Sequence, residues 1–375
     1  MNIVVNTRLL IKNKLEGIGG FTFETLQRIT RQHPEHTFYF IFDRPCDPSF
    51  IFNDNVKPII APPQARHPFL YFIWFELVIS RILKKIHADI FFSPDGYLSL
   101  RSKIKQVAVF HDLNFEHYPQ DLPWLERWYY RTFFPCYAHK ASRIATVSQY
   151  SKSDLVKTYH LDPNKIDVVY NGANEIFQPV SEKSKQETRT QFTQGCPYFI
   201  CVGSIHPRKN IVNLLKAFEI FKTAITSNIK LVIVGQKKWW TKEMQSQLNQ
   251  MTNRHDVIFT GRVTQKELHH LIASANALTY VSYHEGFGIP ILEAFNCNTA
   301  VITSNITSMP EVAGDAALLA DPFSPDLIAM AMFSIYHDTD LVEKLIQKGR
   351  EQSSHFSWQQ TSDALWKCIE TVINE

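Results

Sequence analysis

The stretch His284–Phe295, H-E-G-F-G-I-P-I-L-E-A-F, sets two carboxylates, Glu285 and Glu293, around two glycines and a proline. A-L-T-Y-V-S-Y before it has strand character, and I-P-I-L-E-A-F-N reads as a helix with Pro290 at its first position. Gly286 and Gly288 let backbone N–H groups approach an anion closely. Glu285 then falls in the loop and Glu293 in the first helical turn, both at one edge of a sheet. A pair placed this way does not straddle a glycosidic bond as a hydrolase's two acids would. A carboxylate repels phosphate but accepts hydrogen bonds from sugar hydroxyls. Glu293 therefore suits a ribose, and Glu285 the hydroxyls of a transferred sugar. Compensation of the helix dipole is the plainer reading of Glu293, and it leaves Glu285 unexplained.

A partner for phosphate stands upstream in Y-F-I-C-V-G-S-I-H-P-R-K-N-I-V-N-L-L-K-A-F. A strand ends at Val202–Gly203, and Arg208 and Lys209 precede a helix that Asn210 can cap. Ile211, Leu214, Leu215 and Phe218 form its apolar stripe. Two cations ahead of a helix N-terminus suit a diphosphate; a solvated pair that merely opens a helix is the alternative. Near the N-terminus, E-G-I-G-G-F-T-F-E places Gly17, Gly19 and Gly20 before a helix expected from about Phe21. This is not G-x-G-x-x-G and does not directly follow the first strand; no G-K-[ST] occurs either. It reads as a flexible turn that closes over a phosphate or the transferred group. His111, with Asp112 beside it, ends the strand Gln106–Phe110 and is either a structural hydrogen-bonding residue or an active-site group. His269–His270 reads as helix surface, and Asp338-Thr-Asp340 as a helix cap rather than a metal site. No metal is expected.

These residues need a scaffold of strand ends, and the chain has one. Of its 375 residues 45% are hydrophobic and 20% charged, with a net charge of +3, which fits a soluble globular protein and disfavours one built to neutralise nucleic acid. That length suggests more than one domain. Six scattered cysteines without a C-x-x-C pair suggest reduced thiols and a cytoplasmic setting. No signal peptide is expected. The apolar window Phe69–Ser80 is too short to span a bilayer and reads as a buried or interfacial helix; Arg81, Lys84 and Lys85 follow it, so peripheral membrane contact is the second reading.

Short apolar runs alternate with helix-length segments: Ile3–Asn6, Thr37–Phe42, Asp89–Phe92, Gln106–Phe110, Arg143–Val147 and Asp167–Tyr170, then Tyr198–Val202, Lys230–Val234, Val257–Thr260, Ala277–Ser282, Ala300–Thr303 and Ala317–Leu319. Near-continuous apolar runs mark parallel strands covered on both faces, so the fold class is α/β with doubly wound sheets. The polar stretch 176–196 reads as a linker between domains 1–175 and 197–355, and 356–375 as a terminal helix that packs back on the first domain. The expected ligand site is the cleft between two sheets facing each other.

E-G-F-G-I-P-I-L-E resembles the E-x7-E motif of retaining glycosyltransferases of family 4, which have the GT-B fold of two Rossmann-like domains. V-G-S-I-H-P-R-K-N, V-F-H-D-L, A-T-V-S-Q-Y-S-K-S-D-L, V-V-Y-N-G-A-N-E-I-F-Q-P, F-T-G-R-V and M-P-E-V-A-G-D-A-A-L-L-A-D-P are similar to further segments of that family. The resemblance implies that Arg208 and Lys209 hold the donor's diphosphate. It puts Glu285 on the donor sugar, Gly286, Phe287, Gly288 and Ile289 along the sugar and phosphate, and Glu293 on the ribose. Gly261, Arg262 and Val263 would face the base, His111 the sugar ring, and Gly19 and Gly20 the diphosphate. Asp112, Ser148, Asn171 and Gly172 would line the cleft. Ser204 stands where some branches carry an arginine, which leaves more of the phosphate to Arg208 and Lys209.

The resemblance further implies a retaining, metal-independent transfer of a hexosyl unit from GDP-mannose or a UDP-sugar, with no separate cofactor. The acceptor would be a glycan or a lipid-linked saccharide, and domain closure would exclude water. The aromatic and basic stretch Trp124–Pro135 would then meet a lipid-linked acceptor at a membrane, or be a core helix with snorkelling arginines. A nucleoside-diphosphate-sugar 2-epimerase and a non-catalytic nucleotide-sugar binder are the alternatives.

Overall fold

The computed structural model describes residues 1–15 and 17–374. The chain divides into two compact units, Met1–Asn171 with Trp358–Glu375, and Gly172–Ser357. In the first, seven strands form one parallel sheet: β1 (Asn2–Asn6), β2 (Thr37–Phe42), β3 (Val56–Ile60), β4 (Ile90–Ser93), β5 (Lys105–Phe110), β6 (Arg143–Thr146) and β7 (Ile166–Val168). Their order is β3-β2-β1-β4-β5-β6-β7. The second unit holds six parallel strands: β8 (Tyr198–Val202), β9 (Lys230–Val234), β10 (Val257–Gly261), β11 (Ala277–Tyr280), β12 (Ala300–Ser304) and β13 (Leu318–Ala320), in the order β10-β9-β8-β11-β12-β13. β8 and β12 are buried at every residue, and β8, Y-F-I-C-V, is accordingly an unbroken apolar run. Chain direction across each sheet reverses once, between β1 and β4 and between β8 and β11. Strand ends beside such a reversal leave a crevice for ligands.

Four readings from the sequence change here. β3 was not expected, because V-K-P-I-I carries a lysine and a proline. It is an edge strand hydrogen-bonded only to β2, where a missing N–H is tolerated. The helix near the N-terminus begins at Ile18, not Phe21, so Gly19 and Gly20 lie inside its first turn rather than in a flexible turn before it. A Cβ on Gly19 would stand 2.9 Å from the carbonyl oxygen of Leu9, so glycine lets this helix close on the loop after β1. The stretch 176–196 belongs to the second unit rather than standing as a separate linker, and the short helix that a connector there could hold is Glu182–Thr193. His269 and His270 are more than helix surface: His269 Nε2 lies 2.7 Å from the Gln178 carbonyl, and His270 Nδ1 lies 3.1 Å from the Ser184 hydroxyl. They hold that stretch in place.

Phe69–Ser80 falls in a helical run, Pro68–Phe72, Ile73–Ile79 (π) and Ser80–Lys85. Its one acid, Glu76, turns inward and accepts the backbone N–H groups of Leu100 and Arg101 at 2.9 and 3.0 Å. Trp74, Phe75, Ile79 and Leu83 are buried with it. Among the described residues no helix is long and apolar enough to cross a membrane. The last helix, Trp358–Asn374, packs within the first unit: Trp366 stacks on His33 at 3.7 Å, and Thr361 Oγ1 donates to the Tyr170 carbonyl at 2.6 Å. Asp338 caps the helix Thr339–Ser353 by accepting the Leu341 N–H at 2.8 Å.

Candidate active site

The second unit brings Arg208, Lys209 and Glu285 into direct contact. Arg208 and Lys209 close a 3-10 turn after β8, Pro207–Lys209, and Glu285 leads the loop after β11, the strand next to β8 across the reversal. Arg208 Nη1 donates to Glu285 Oε2 at 2.9 Å, and Lys209 Nζ to Oε1 at 2.6 Å. Lys209 also reaches the Tyr280 hydroxyl at 2.5 Å and lies 4.3 Å from the centre of its ring. Burial pushes the Glu285 carboxyl upward, but Arg208 and then Lys209 outweigh it and hold the pKa at about 2. Burial draws the Lys209 ammonium below its ordinary range, and Glu285 restores only part of that loss.

Two glycines set the path of Lys209. Gly203, at φ 136°, leaves room for its side chain; a Cβ there would meet Lys209 Cε at 3.0 Å. Gly235 follows β9 at φ 148°, and a Cβ there would stand 1.9 Å from the Gly203 carbonyl oxygen. Gly235→Ala cannot be built without moving the Gly203–Lys209 loop. We expect a loss of more than about 3 kcal/mol of stability in urea titration. Sequence reasoning missed this contact, although the repeated Val-Gly ending β8 and β9 was the available signal.

Asn210 does not act as the N-cap through its side chain. It adopts the left-handed conformation, and its Nδ2 donates to the carbonyls of Val281 and Pro322 at 3.0 and 2.6 Å. It thereby ties the cation-bearing turn to the strand ahead of Glu285. Ser308 Oγ lies 2.9 and 3.0 Å from the carbonyls of Glu285 and Phe287 and holds the E-G-F-G loop from beneath. Gly286, Phe287 and Gly288 are buried in that loop. Gly288, at φ 110°, is the residue before the helix Ile289–Asn296.

Glu293 stands in the second turn of that helix, not the first, and Pro290 in its second position. The carboxylate is thus beyond the reach of the terminal N–H groups, and dipole compensation is not its role. It has no ion-pair or hydrogen-bond partner among the described residues, and burial pushes its pKa up to about 7. A carboxyl raised above its unfolded value of 4.5 contributes stability below that value, which is lost as pH rises through about 7. Glu293→Gln should therefore raise the melting temperature above neutrality and change it little near pH 4.5. Nucleotide affinity should fall at both. Thermal scans with and without GDP or UDP check both halves.

Of the other expected site residues in this unit, Ser204 is exposed beside Gly203. Gly261, Arg262 and Val263 leave β10, two strands from β8 and so about 10 Å away across the sheet. The Gly235 N–H donates to the Gly261 carbonyl at 2.9 Å, which links the three strand ends. Gly172 opens the unit and is buried.

In the first unit, His111 leaves β5 with its Nε2 2.9 Å from the Pro94 carbonyl and its ring edge-on to Phe21 at 5.0 Å. Through Phe21, the helix turn carrying Gly19 and Gly20 lies against this histidine. Burial lowers the His111 pKa, more than Asp112 and Asp95 raise it, so the ring is neutral at neutral pH. Asp112 Oδ1 accepts the Asn114 N–H at 3.0 Å, and Ser148 caps the helix Gln149–Tyr159 by accepting the Ser151 N–H at 3.0 Å. Asn171 is buried with its Oδ1 unpaired among the described residues. Two further pairs in this unit were missed by sequence reasoning: Arg8 Nε with Asp95 at 2.8 Å, and His117 Nε2 with Asp154 at 2.8 Å.

The comparisons with known proteins agree with this architecture. Residues 182–352 match the profile of the family Glycosyl transferases group 1, and residues 16–175 that of Glycosyltransferase Family 4. The chain is 29% identical over 278 residues to O-antigen chain mannosyltransferase B of Escherichia coli, covering 72% of this chain and 71% of that one. It is 30% identical over 217 residues to O-antigen chain mannosyltransferase RfbU of Salmonella typhimurium (strain LT2), covering 58% and 57%. Among solved structures, Anabaena Alr3699/HepE in complex with UDP and glucose superposes over 99% of this chain and 100% of its own, with a TM-score of 0.77 at 16% identity. WaaG, a glycosyltransferase of lipopolysaccharide biosynthesis, superposes over 97% and 98% with a TM-score of 0.74 at 15% identity. Such likeness shows the fold, which is GT-B. The chain belongs to glycosyltransferase family 4, the group 1 glycosyl transferases, and is an enzyme of glycosyl transfer.

Proposed function

We propose that the chain is a retaining hexosyltransferase that moves a mannose-type unit from a nucleoside diphosphate sugar to a hydroxyl of a glycan or lipid-linked saccharide. The observation that carries this reading is the triad Arg208–Lys209–Glu285, built around a buried carboxylate at the reversal of the second sheet. Two cations on one loop meet a diphosphate; a single anion bridging both keeps them aimed until it arrives. On donor binding the diphosphate takes over the two cations. Glu285 is released to accept hydrogen bonds from the sugar's hydroxyls. Glu293, without a partner of its own, accepts those of the ribose, and the Gly261–Val263 segment meets the base.

The bond from the anomeric carbon to the diphosphate oxygen breaks as the bond to the acceptor oxygen forms on the same face. The acceptor's proton passes to the departing phosphate oxygen, and Arg208 and Lys209 stabilise the charge that develops there. This is the part a metal ion plays elsewhere, so the transfer is read as metal-independent.

The names of the relatives, O-antigen chain mannosyltransferases, support mannose as the sugar and a bacterial surface polysaccharide as the product. GDP-mannose is accordingly the proposed donor. The test incubates the protein with GDP-mannose and a panel of UDP-sugars, with and without lipid-linked saccharide acceptor and with a chelator present. Release of nucleoside diphosphate only with acceptor, and an α product by NMR from the α donor, is the expected result. A new nucleotide sugar formed without acceptor would instead make the chain a 2-epimerase, and affinity without release a binding protein.

A further inference from the structure

The run K-K-W-W, Lys237–Trp240, leaves β9 at the carboxyl edge of the second sheet and has no part in the triad. β9 lies between β8, whose loop carries Arg208 and Lys209, and β10, which ends at Gly261. Register sets Val234 beside Gly261, so the residues after Gly235 run level with Arg262 and Val263. A nucleotide with its diphosphate on the β8 loop and its base at the end of β10 therefore passes this run. The ends of that path are two strand spacings, about 10 Å, apart, and the run stands midway. It is also tied to the cation-bearing turn. The Ile205 N–H donates to the Gln236 carbonyl at 3.2 Å, Trp239 meets His206 edge-on at 5.3 Å, and His206 Nδ1 accepts the Arg208 N–H at 3.3 Å.

Lys237 is exposed, yet it does not stretch into water as a purely solubilising lysine would. Its ammonium lies 3.7 Å from the centre of the Phe259 ring on β10 and 4.6 Å from that of Trp240, and the two rings meet edge-on at 5.3 Å. Lys238 Nζ lies 5.5 Å from the centre of the Trp239 ring. Among the described residues neither ammonium has an ion pair or a hydrogen bond, so every N–H of both is available to a ligand. An ammonium donates and never accepts, so the base edge it suits is one of acceptors. Guanine sets O6 and N7 side by side on such an edge. Adenine and cytosine place an amino donor there, and uracil offers O4 alone. We propose that Lys237, with Lys238 beside it, selects guanine in the donor nucleotide by donating to O6 and N7. The proposal rests on the reading of the second unit as the nucleotide-sugar site and names the residues that choose its base.

Calorimetric titration of the full chain with GDP, UDP, ADP and inorganic pyrophosphate tests it. GDP should bind about tenfold more tightly than UDP, and ADP more weakly than either. Lys237→Met keeps a stem over Phe259 and Trp240 but removes the donors. It should weaken GDP by about tenfold or more and leave ADP and pyrophosphate unchanged, which also shows that the fold and the phosphate site are intact. Lys237→Arg, whose planar fork meets O6 and N7 together, should restore the preference. In transfer assays the loss should fall on KM for GDP-mannose rather than on kcat, because the base lies away from the bond that breaks. A guanine preference that Lys237→Met abolishes, in a chain that transfers no sugar, would sink the reaction and leave the base site standing. A parent chain that binds none of the nucleotides, binds them equally or favours UDP or ADP overturns the proposal. So does a Lys237→Met variant that keeps the preference, or one that loses GDP, ADP and pyrophosphate alike, since the lysine would then serve the phosphates or the fold.

Discussion

Lys209→Ala should lower turnover by about a thousandfold, the scale seen when one preorganised charge is removed from a developing anion. Its ammonium lies within 2.6 Å of Glu285 and its stem runs over Gly203, so its position is set before any ligand arrives. On the proposed mechanism, removing it takes away half of the charge offered to the departing diphosphate. Arg208 remains on Glu285 at 2.9 Å, so the carboxylate keeps a partner and the fold should survive. The effect belongs in kcat more than in KM, because the charge on the phosphate grows as the bond breaks. Initial rates of nucleoside diphosphate release, with circular dichroism to confirm folding, decide the matter. A variant working near the parent rate would remove the phosphate clamp from the mechanism.

Glu285→Gln should act in the opposite sense on the two halves of the donor. With the bridging charge gone, Arg208 and Lys209 face phosphate without a competitor, so affinity for free GDP or UDP should hold or rise. The hydroxyls of the sugar lose an ionised acceptor, and transfer should fall by about a hundredfold. Equal loss of nucleotide binding and transfer would reassign the residue to holding the loop.

Stability gives a second, independent reading. The amide leaves Lys209, largely buried, and Arg208, partly exposed, without a counter-charge, a change that costs about 3 kcal/mol. The Glu285 carboxyl is depressed to about 2 from 4.5, so its contribution is fully present above pH 4.5 and is lost as pH falls through about 2. The stability gap between parent and variant should close over that window in urea titrations.

The parts of this site that were legible in the sequence are those fixed by local chemistry. Apolar runs such as Y-F-I-C-V and K-L-V-I-V announced strands because both faces of a parallel sheet are buried, and E-G-F-G marked a loop meeting a helix. Arg208, Lys209 and Glu285 were each expected at a ligand edge, but their union was not. They are 76 to 77 residues apart, and only the adjacency of β8 and β11 joins them. Glu293 was placed in the first turn because Pro290 was read as the first helical position; the helix begins one residue earlier, at Ile289, directly after Gly288 at positive φ. Asn210 looked like a cap by residue type, yet its left-handed backbone turns the side chain toward Val281 instead. Gly19 and Gly20 suggested a loop by propensity, while close approach to Leu9 is what demands glycine at the first of them. Strand β3 escaped because an edge position relaxes the composition that identifies the others.

The helix Trp358–Asn374 completes a unit whose other part ends at Asn171. A ribosome delivers the whole of Gly172–Ser357 between those two pieces. The second unit can therefore close while the nascent first one still lacks its final wall. Until the last helix emerges, the surface around His33 and Phe21 that Trp366 and Trp358 cover is open to chaperones and proteases. Assembly order thus runs against chain order, and the half that is made first is the half that is finished last.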